Sequence, residues 1–331
     1  MSYELEGRAA VEAVLKACRF IQTVQKTHSS RDAISKKDRS PVTVADFGAQ
    51  ALINDHLKAL FPDDLIVAEE NSRLLVQSEN ADLMEAVFAQ VRPFNPYLLR
   101  HRILEAIDLG SGVAGPEGRF WVLDPIDGTK GFLRGDQYAV ALALIDGGRV
   151  VLGVLGCPNL PVNGMAAFRT PRGCLFVAAR GEGSVMRDLD HPAGRTIHVT
   201  SATDPSLVRF CESFESEHSA QQVTSNVARD LGITWPPLRL DSQAKYGVVA
   251  RGDASIYLRL PPEKTYREKI WDHAAGSIIV EEAGGRVTDM EGKPLDFTRG
   301  NLLIRNRGII ATNGKFHDLL VEAVKKEFSR I

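Results

Sequence analysis

The stretch Asp124-Pro125-Ile126-Asp127-Gly128-Thr129-Lys130-Gly131 crowds two carboxylates, a hydroxyl and a glycine into one short segment. It follows the apolar run Phe120-Trp121-Val122-Leu123, so a buried strand is expected to end at an acidic turn. Pro125 fixes its own φ and removes a backbone donor, while Gly128 permits a conformation that other residues resist. The two acids, the Ile126 carbonyl and the Thr129 hydroxyl are all oxygen donors, the kind that a hard cation such as magnesium takes. Three further acids stand where a chain presents side chains to a cleft. Glu69 ends the short apolar run Leu65–Ala68, Asp46 lies in the first turn of a helix capped by Thr43, and Asp272 opens a later helix. Each also has a bland reading, because acids at helix N-termini favour the macrodipole and an acid at a strand end can simply be solvated. Brought together, however, such carboxylates cannot all stay ionised without cations. Five acids suggest two or more metals, and a metal pair can clamp both the attacking and the leaving oxygen of a phosphoryl transfer.

These groups need a scaffold, and the chain is long enough to bury one. Its 331 residues suggest two domains or one large one. Lys plus Arg number 40 against 42 for Asp plus Glu, a balance that argues against nucleic acid or an anionic membrane as the main partner and leaves room for a small anionic ligand. Cys18, Cys157, Cys174 and Cys211 show neither Cys-x-x-Cys nor zinc spacing and read as reduced, mostly buried thiols. No apolar run approaches a membrane span, and acids at Glu4 and Glu6 are unlike a signal or transit peptide, so a cytosolic, monomeric or weakly associating protein is expected.

Apolar spacing predicts helices over 3–28 and 43–60, a strand over 65–68, and helices near 79–91 and 96–108. Tyr138–Ile145, Arg149–Gly156 and Cys174–Arg180 read as an antiparallel sheet with Gly-rich turns. The polar segment 187–195 is taken as a boundary between an α+β part, 1–194, and an α/β part, 195–331, in which strands at 206–211, 237–241, 254–260, 285–289 and 308–312 alternate with helices at 218–231, 242–251, 271–284 and 315–328.

The Asp124–Thr129 turn, the upstream Ala68-Glu69-Glu70, and the downstream Trp271-Asp272-His273-Ala274-Ala275-Gly276 with Glu282-Ala283-Gly284-Gly285 together resemble the inositol monophosphatase superfamily, over about residues 41–290. Within it, Lys130-Gly131-Phe132-Leu133-Arg134-Gly135, Asp241-Ser242-Gln243-Ala244-Lys245-Tyr246, Tyr257-Leu258-Arg259-Leu260-Pro261 and Glu268-Lys269-Ile270-Trp271-Asp272 are most similar to the 3′(2′),5′-bisphosphate nucleotidase branch. The resemblance implies a layered α-β-α-β-α fold and a lithium-sensitive phosphomonoesterase. It implies two or three magnesium ions and a small nucleotide bisphosphate as substrate. It further implies that Glu69, Asp124, Asp127, Asp272 and the Ile126 carbonyl are metal ligands. Asp46 and Thr129 would orient and deprotonate the attacking water, and the amides around Gly128 and Thr129 would hold the scissile phosphate. His218, Ser242, Lys245 and Arg259 would bind the rest of the nucleotide.

Three rival readings share some of these features. An inositol monophosphatase or polyphosphate 1-phosphatase has the acidic core but no reason for the Asp-Ser-Gln-x-Lys-Tyr segment. A haloacid-dehalogenase-type phosphatase has acids two apart, not three. A sensor that binds the bisphosphate without turnover would not need the catalytic groups. On the residues alone, Lys245 and Arg259 read first as surface charges, their functional reading resting on the neighbours in the resemblance, and Ser242 reads equally well as a helix cap.

Overall fold

The computed structural model describes residues 3–27, 34–35, 41–167, 170–214, 221–261, 263 and 265–329. The expected first helix is α1, Glu4–Thr27, and a two-strand hairpin follows, β1 Ile34–Ser35 and β2 Pro41–Val42. Thr43 caps α2, Val44–Leu60, by accepting the Ala45 N–H. Then come β3 Leu65–Ala68, α3 Ala81–Val91 and α4 Arg100–Asp108. The next strands are β4 Arg119–Asp127, β5 Ala139–Asp146, β6 Arg149–Pro161, β7 Arg172–Ala179, β8 Gly183–Asp188 and β9 Gly194–Ile197, with the short helix α5, Thr129–Arg134, between β4 and β5. Among the described residues β3 to β9 form one seven-stranded sheet in chain order, in which β3 and β4 run parallel and the others antiparallel.

The polar segment 187–195 is therefore the turn of the edge hairpin β8–β9. The boundary expected between 194 and 195 falls inside β9, which carries the first sheet on to Ile197. A hairpin turn and an interdomain linker share the same turn-rich composition locally.

Beyond it lie β10 Phe210–Glu212, α6 Gln221–Asp230, β11 Leu238–Arg239, α7 Ala244–Ala250, β12 Ile256–Arg259, α8 Ala274–Glu282, β13 Arg286–Thr288, β14 Ile309–Thr312 and α9 His317–Phe328. The expected helix 218–231 begins outside the described residues and is α6 within them. The second sheet has the order β11-β10-β12-β14-β13.

The two-residue alternation of strands sorts their side chains into separate cores. Trp121 and Leu123 of β4 pack with α1 and α2, whereas Phe120 and Val122 face the opposite way, into a core shared with α7, α8 and the second sheet. Tyr257 of β12 joins that middle core, and its neighbours Ile256 and Leu258 pack with α6 and α9 on the far side. The layers are helix, sheet, helix, sheet, helix. No helix among the described residues is long and apolar enough to cross a membrane.

The outermost seam contains a buried titratable group. His317 opens α9 with its Nε2 2.8 Å from the Thr288 hydroxyl of β13 and its Nδ1 3.0 Å from the Thr312 hydroxyl of β14. Burial pushes its imidazole down to about 4. Since the folded value lies below the unfolded one of about 6.5, this group's stabilisation is complete above that pH and drains away as pH falls towards 4. Urea midpoints should fall through that window for the native chain, and His317→Gln should show a fall shallower by the linkage of about one proton; identical slopes would refute the assignment.

Candidate active site

Strand parity decides what the acidic stretch can do. Successive side chains on a strand face opposite ways, so Asp124 and Asp127 should point to opposite faces. β4 avoids this with one extra residue: Asp124 lies opposite Ala141 and Asp127 opposite Ala139, three steps against two. Ala139 and Ala141 both belong to the middle core, so the bulge turns both carboxylates to that side. Pro125, with no N–H to give a ladder, sits inside the bulge. The expected picture is corrected here, since the strand does not end before the acids but runs through Asp127, and its irregularity is what groups them.

Gly128 follows at φ 87°, and a Cβ there would come within 2.9 Å of the Ser242 Cβ. Only glycine tolerates both the left-handed backbone and that approach. Ser242 is itself left-handed at φ 66°, the one such non-glycine residue among those described, and strain of this kind persists where the surroundings over-determine it. Its hydroxyl accepts the Ala244 N–H at 3.1 Å, just ahead of α7. The adjacent Gln243 N–H donates to Asp127 Oδ2 at 2.5 Å. The acidic turn is thus clasped by a segment more than a hundred residues on.

The other acids reach the same region by separate routes. Ala68 pairs with Leu123, and the Glu69 N–H donates to the Leu123 carbonyl at 3.2 Å, so Glu69 and Asp124 leave adjacent parallel strands side by side. Gln50 of α2 fixes this exit: its amide donates to the Glu70 carbonyl at 2.6 Å and the Ile107 carbonyl at 2.9 Å, and it accepts the Glu70 N–H at 3.0 Å. Asp46, on the same helix, accepts from the N–H and hydroxyl of Thr43 at 2.8 and 2.6 Å. Its other oxygen lies 3.4 Å from the Thr129 hydroxyl, which is also 3.2 Å from the Ile126 carbonyl.

Asp272 stands on the turn before α8 and not in its first helical turn, because α8 starts at Ala274. Arg259 donates to Asp272 at 3.1 Å and pairs with Glu268 at 2.9 Å. Glu268 in turn lies 3.1 Å from His273 Nε2, and His273 Nδ1 lies 2.8 Å from the Tyr246 hydroxyl. Gly276 lets α8 close onto this chain, since any Cβ would strike the Tyr246 ring.

Electrostatics ties these routes together. Burial pushes Asp127 above the ordinary carboxylate range, Lys245, Arg259 and the Gln243 amide pull it back, and Glu69 pushes it up again. Burial raises Asp272 well above that range; Arg259 opposes this, while Asp127, Glu268 and Glu69 add to it. Glu69, Asp127 and Asp272 therefore share one neighbourhood with an excess of like charge. An all-oxygen donor set in that state fits a hard divalent cation. Among the described residues one trio has ligand-type atoms mutually within 4.8 Å, Glu268, Asp272 and His273, and it overlaps the expected acids only at Asp272. Glu268 and His273 are bonded to each other and to Arg259 and Tyr246, and so serve as supports behind Asp272.

Two expected substrate residues lie in an unexpected setting. Lys245 is only 2 % exposed; its ammonium donates to the Leu240 carbonyl at 3.2 Å and sits 5.3 Å from the Tyr257 ring centre. It is not a surface charge, because all of α7 is buried between the sheets. Arg259 is turned towards acids, as above. His218 lies outside the described residues. Gln50, Gln243, Glu268 and His273 were not expected at the site. For Gln50 the one available signal is a polar residue among the buried positions of α2.

The family model for the inositol monophosphatase family matches residues 2–328. A curated relative from Oryza sativa, a 3′(2′),5′-bisphosphate nucleotidase, is 47% identical over 98% of this chain and 94% of its own length. One from Arabidopsis thaliana, 3′(2′),5′-bisphosphate nucleotidase 1, is 48% identical over 98% of this chain and 97% of its own. Among solved structures, an IMPase of Thermotoga maritima superposes with a TM-score of 0.65 at 22% identity, covering 97% of this chain and 96% of that one. With the parity-corrected acids, the five layers and a match over nearly the whole sequence, the chain belongs to the inositol monophosphatase family.

Proposed function

We propose that this chain is a magnesium-dependent 3′(2′),5′-bisphosphate nucleotidase that removes the 3′-phosphate of adenosine 3′,5′-bisphosphate to leave AMP, and acts also on 3′-phosphoadenosine 5′-phosphosulfate. The observation that carries the reading is that Glu69 and Asp124 leave paired strands side by side, Asp124 and Asp127 share one face of β4, and Asp127 and Glu69 both act on the Asp272 carboxyl; the near full-length relatives supply the substrate class. The solved inositol monophosphatases support the fold alone, at 22% identity. Balanced charge supports a small diffusible ligand, and four buried, free cysteines support a reducing, cytosolic setting. The two-part division at about residue 195 is kept as a reading of the chain, shifted to the end of β9.

Glu69, Asp124, Asp127, Asp272 and the Ile126 carbonyl would hold the ions. Magnesium bound there supplies positive charge for the phosphate oxygens and makes water more acidic. The Thr129 hydroxyl, 3.4 Å from Asp46 Oδ1, would accept a proton from the attacking water while passing its own to Asp46. Asp46 is held for this by Thr43, so one carboxylate caps α2 and ends the relay. The Gly128 and Thr129 amides would supply donors for the phosphoryl oxygens as the P–O bond to water forms and the bond to the 3′-oxygen breaks, that oxygen taking a proton from solvent to become the 3′-hydroxyl of AMP. Lys245 and Arg259, together with Ser242 at the strained corner, shape the nucleotide side. The charges of Lys245 and Arg259 also oppose the upward push that burial exerts on Asp127.

A panel of adenosine 3′,5′-bisphosphate, the phosphosulfate, inositol 1,4-bisphosphate and inositol 1-phosphate, assayed for phosphate release with magnesium and with or without lithium, tests the reading. Preference for an inositol phosphate would overturn it. Losing even an outer partner of a metal site costs about 10–100-fold, so Asp127→Asn should lose more than that in turnover while its circular dichroism stays native. Thr129→Val should lower kcat by about a hundredfold with KM little changed; an unaltered kcat would remove the relay. Because the Lys245 ammonium is buried beside Asp127, Lys245→Met should depress turnover of bisphosphate and monophosphate substrates alike. A rise in KM confined to the bisphosphate would instead mean that this side chain reaches the second phosphate.

A further inference from the structure

Gln243 joins the two halves of the site through three bonds made by one residue. Its backbone N–H holds Asp127, the acid from β4, at 2.5 Å. Its side-chain amide donates to the Trp271 carbonyl at 2.8 Å, immediately before Asp272. The same amide's oxygen accepts the Gly276 N–H at 3.1 Å. Gly276 is the third residue of α8, where a helix has no carbonyl of its own to offer, so Gln243 caps that helix from outside. The side chain therefore grips both flanks of the turn that bears Asp272, and the residue is 2 % exposed, with no water to replace it. The left-handed Ser242 next to it and the bare Cα of Gly128 fix where its backbone lies.

We propose that Gln243 is a positioning residue that sets the separation between Asp127 and Asp272, and through it the affinity of the site for magnesium. The inference rests on the metal-site reading above. The two acids repel, and magnesium demands near-ideal octahedral geometry at short distance. A staple that keeps them from drifting apart prepares that geometry before the ion arrives.

Gln243→Met keeps length and volume while removing both side-chain bonds. Calorimetric titration of the full chain with magnesium alone, without substrate, should show binding weakened by roughly ten- to hundredfold. At saturating magnesium the KM for the bisphosphate should stay within a few-fold of the native value. Native magnesium affinity in a folded Gln243→Met protein would overturn the inference, even if its activity were reduced. Should that variant not fold, Gln243→Asn, too short to span both flanks, is read in the same titration: weakened binding supports the staple and native binding overturns it. A native chain that itself binds no magnesium would instead overturn the metal-site reading, which separates the two failures.

Discussion

Carboxylates drawn into a half-buried cleft repel one another, and much of what surrounds this site answers that repulsion. Removing charge from water is costly, and a neighbouring like charge makes it costlier. Asp127 is held by a main-chain amide and lies in the field of two cations; Asp272 is braced by Arg259. Arg259 is in turn held between Asp272 and Glu268, and Glu268 is steadied by His273, which Tyr246 holds from its other nitrogen. Lys245, Glu268, His273 and Tyr246 are buried, Arg259 is 14 % exposed, and each is bonded, as partners of a buried charge must be. A protein needing only stability would fill this volume with aliphatic side chains. A fold that retains the strain keeps a place where a divalent ion is worth more than it would be in water.

The layers make the convergence possible. Asp46 and Glu69 come from the outer helix layer and the adjoining strand, Asp124 and Asp127 from the first sheet, and Asp272 from the turn entering the helices between the sheets. Since α7 and α8 pack on both sheets, the segment 241–246 can touch the acidic turn on one side and the Trp271 turn on the other. Lys245 shows the cost of this arrangement: α7 has no solvated face to lend it, so its ammonium settles on a carbonyl and an aromatic ring.

What could be read from the sequence was whatever leaves a local trace. Periodicity located α1, α2 and β3 almost to the residue, and Thr43 marked its own cap, because three- and four-residue spacing and capping chemistry act over a single turn. The acids at 69, 124, 127 and 272 stood out by type and context. The extension of β4 through Asp127 did not, since Pro125 and Gly128 look alike in a turn and in a bulge. Lys245 was open to misreading because a lysine on a short helix is ordinarily solvated, and burial depends on a second sheet that arrives later in the chain. Gln243 was hidden for the same reason: its partners lie 116, 28 and 33 residues away, and no spacing rule spans such gaps.

The extra residue between Asp124 and Asp127 acts as a phase correction. Deleting it would leave the two carboxylates two apart on one face of an unbroken strand, without the bend that frees the Pro125–Ile126 segment from the ladder, whereas one added residue at the same single bulge would send them to opposite faces. Loops elsewhere can lengthen at small entropic cost, but this count is discrete and admits no gradual drift. Two sequences differing here by a single insertion would look nearly identical in alignment, yet one would present a paired anionic centre and the other would drive a carboxylate into the apolar layer where Trp121 and Leu123 meet α1 and α2.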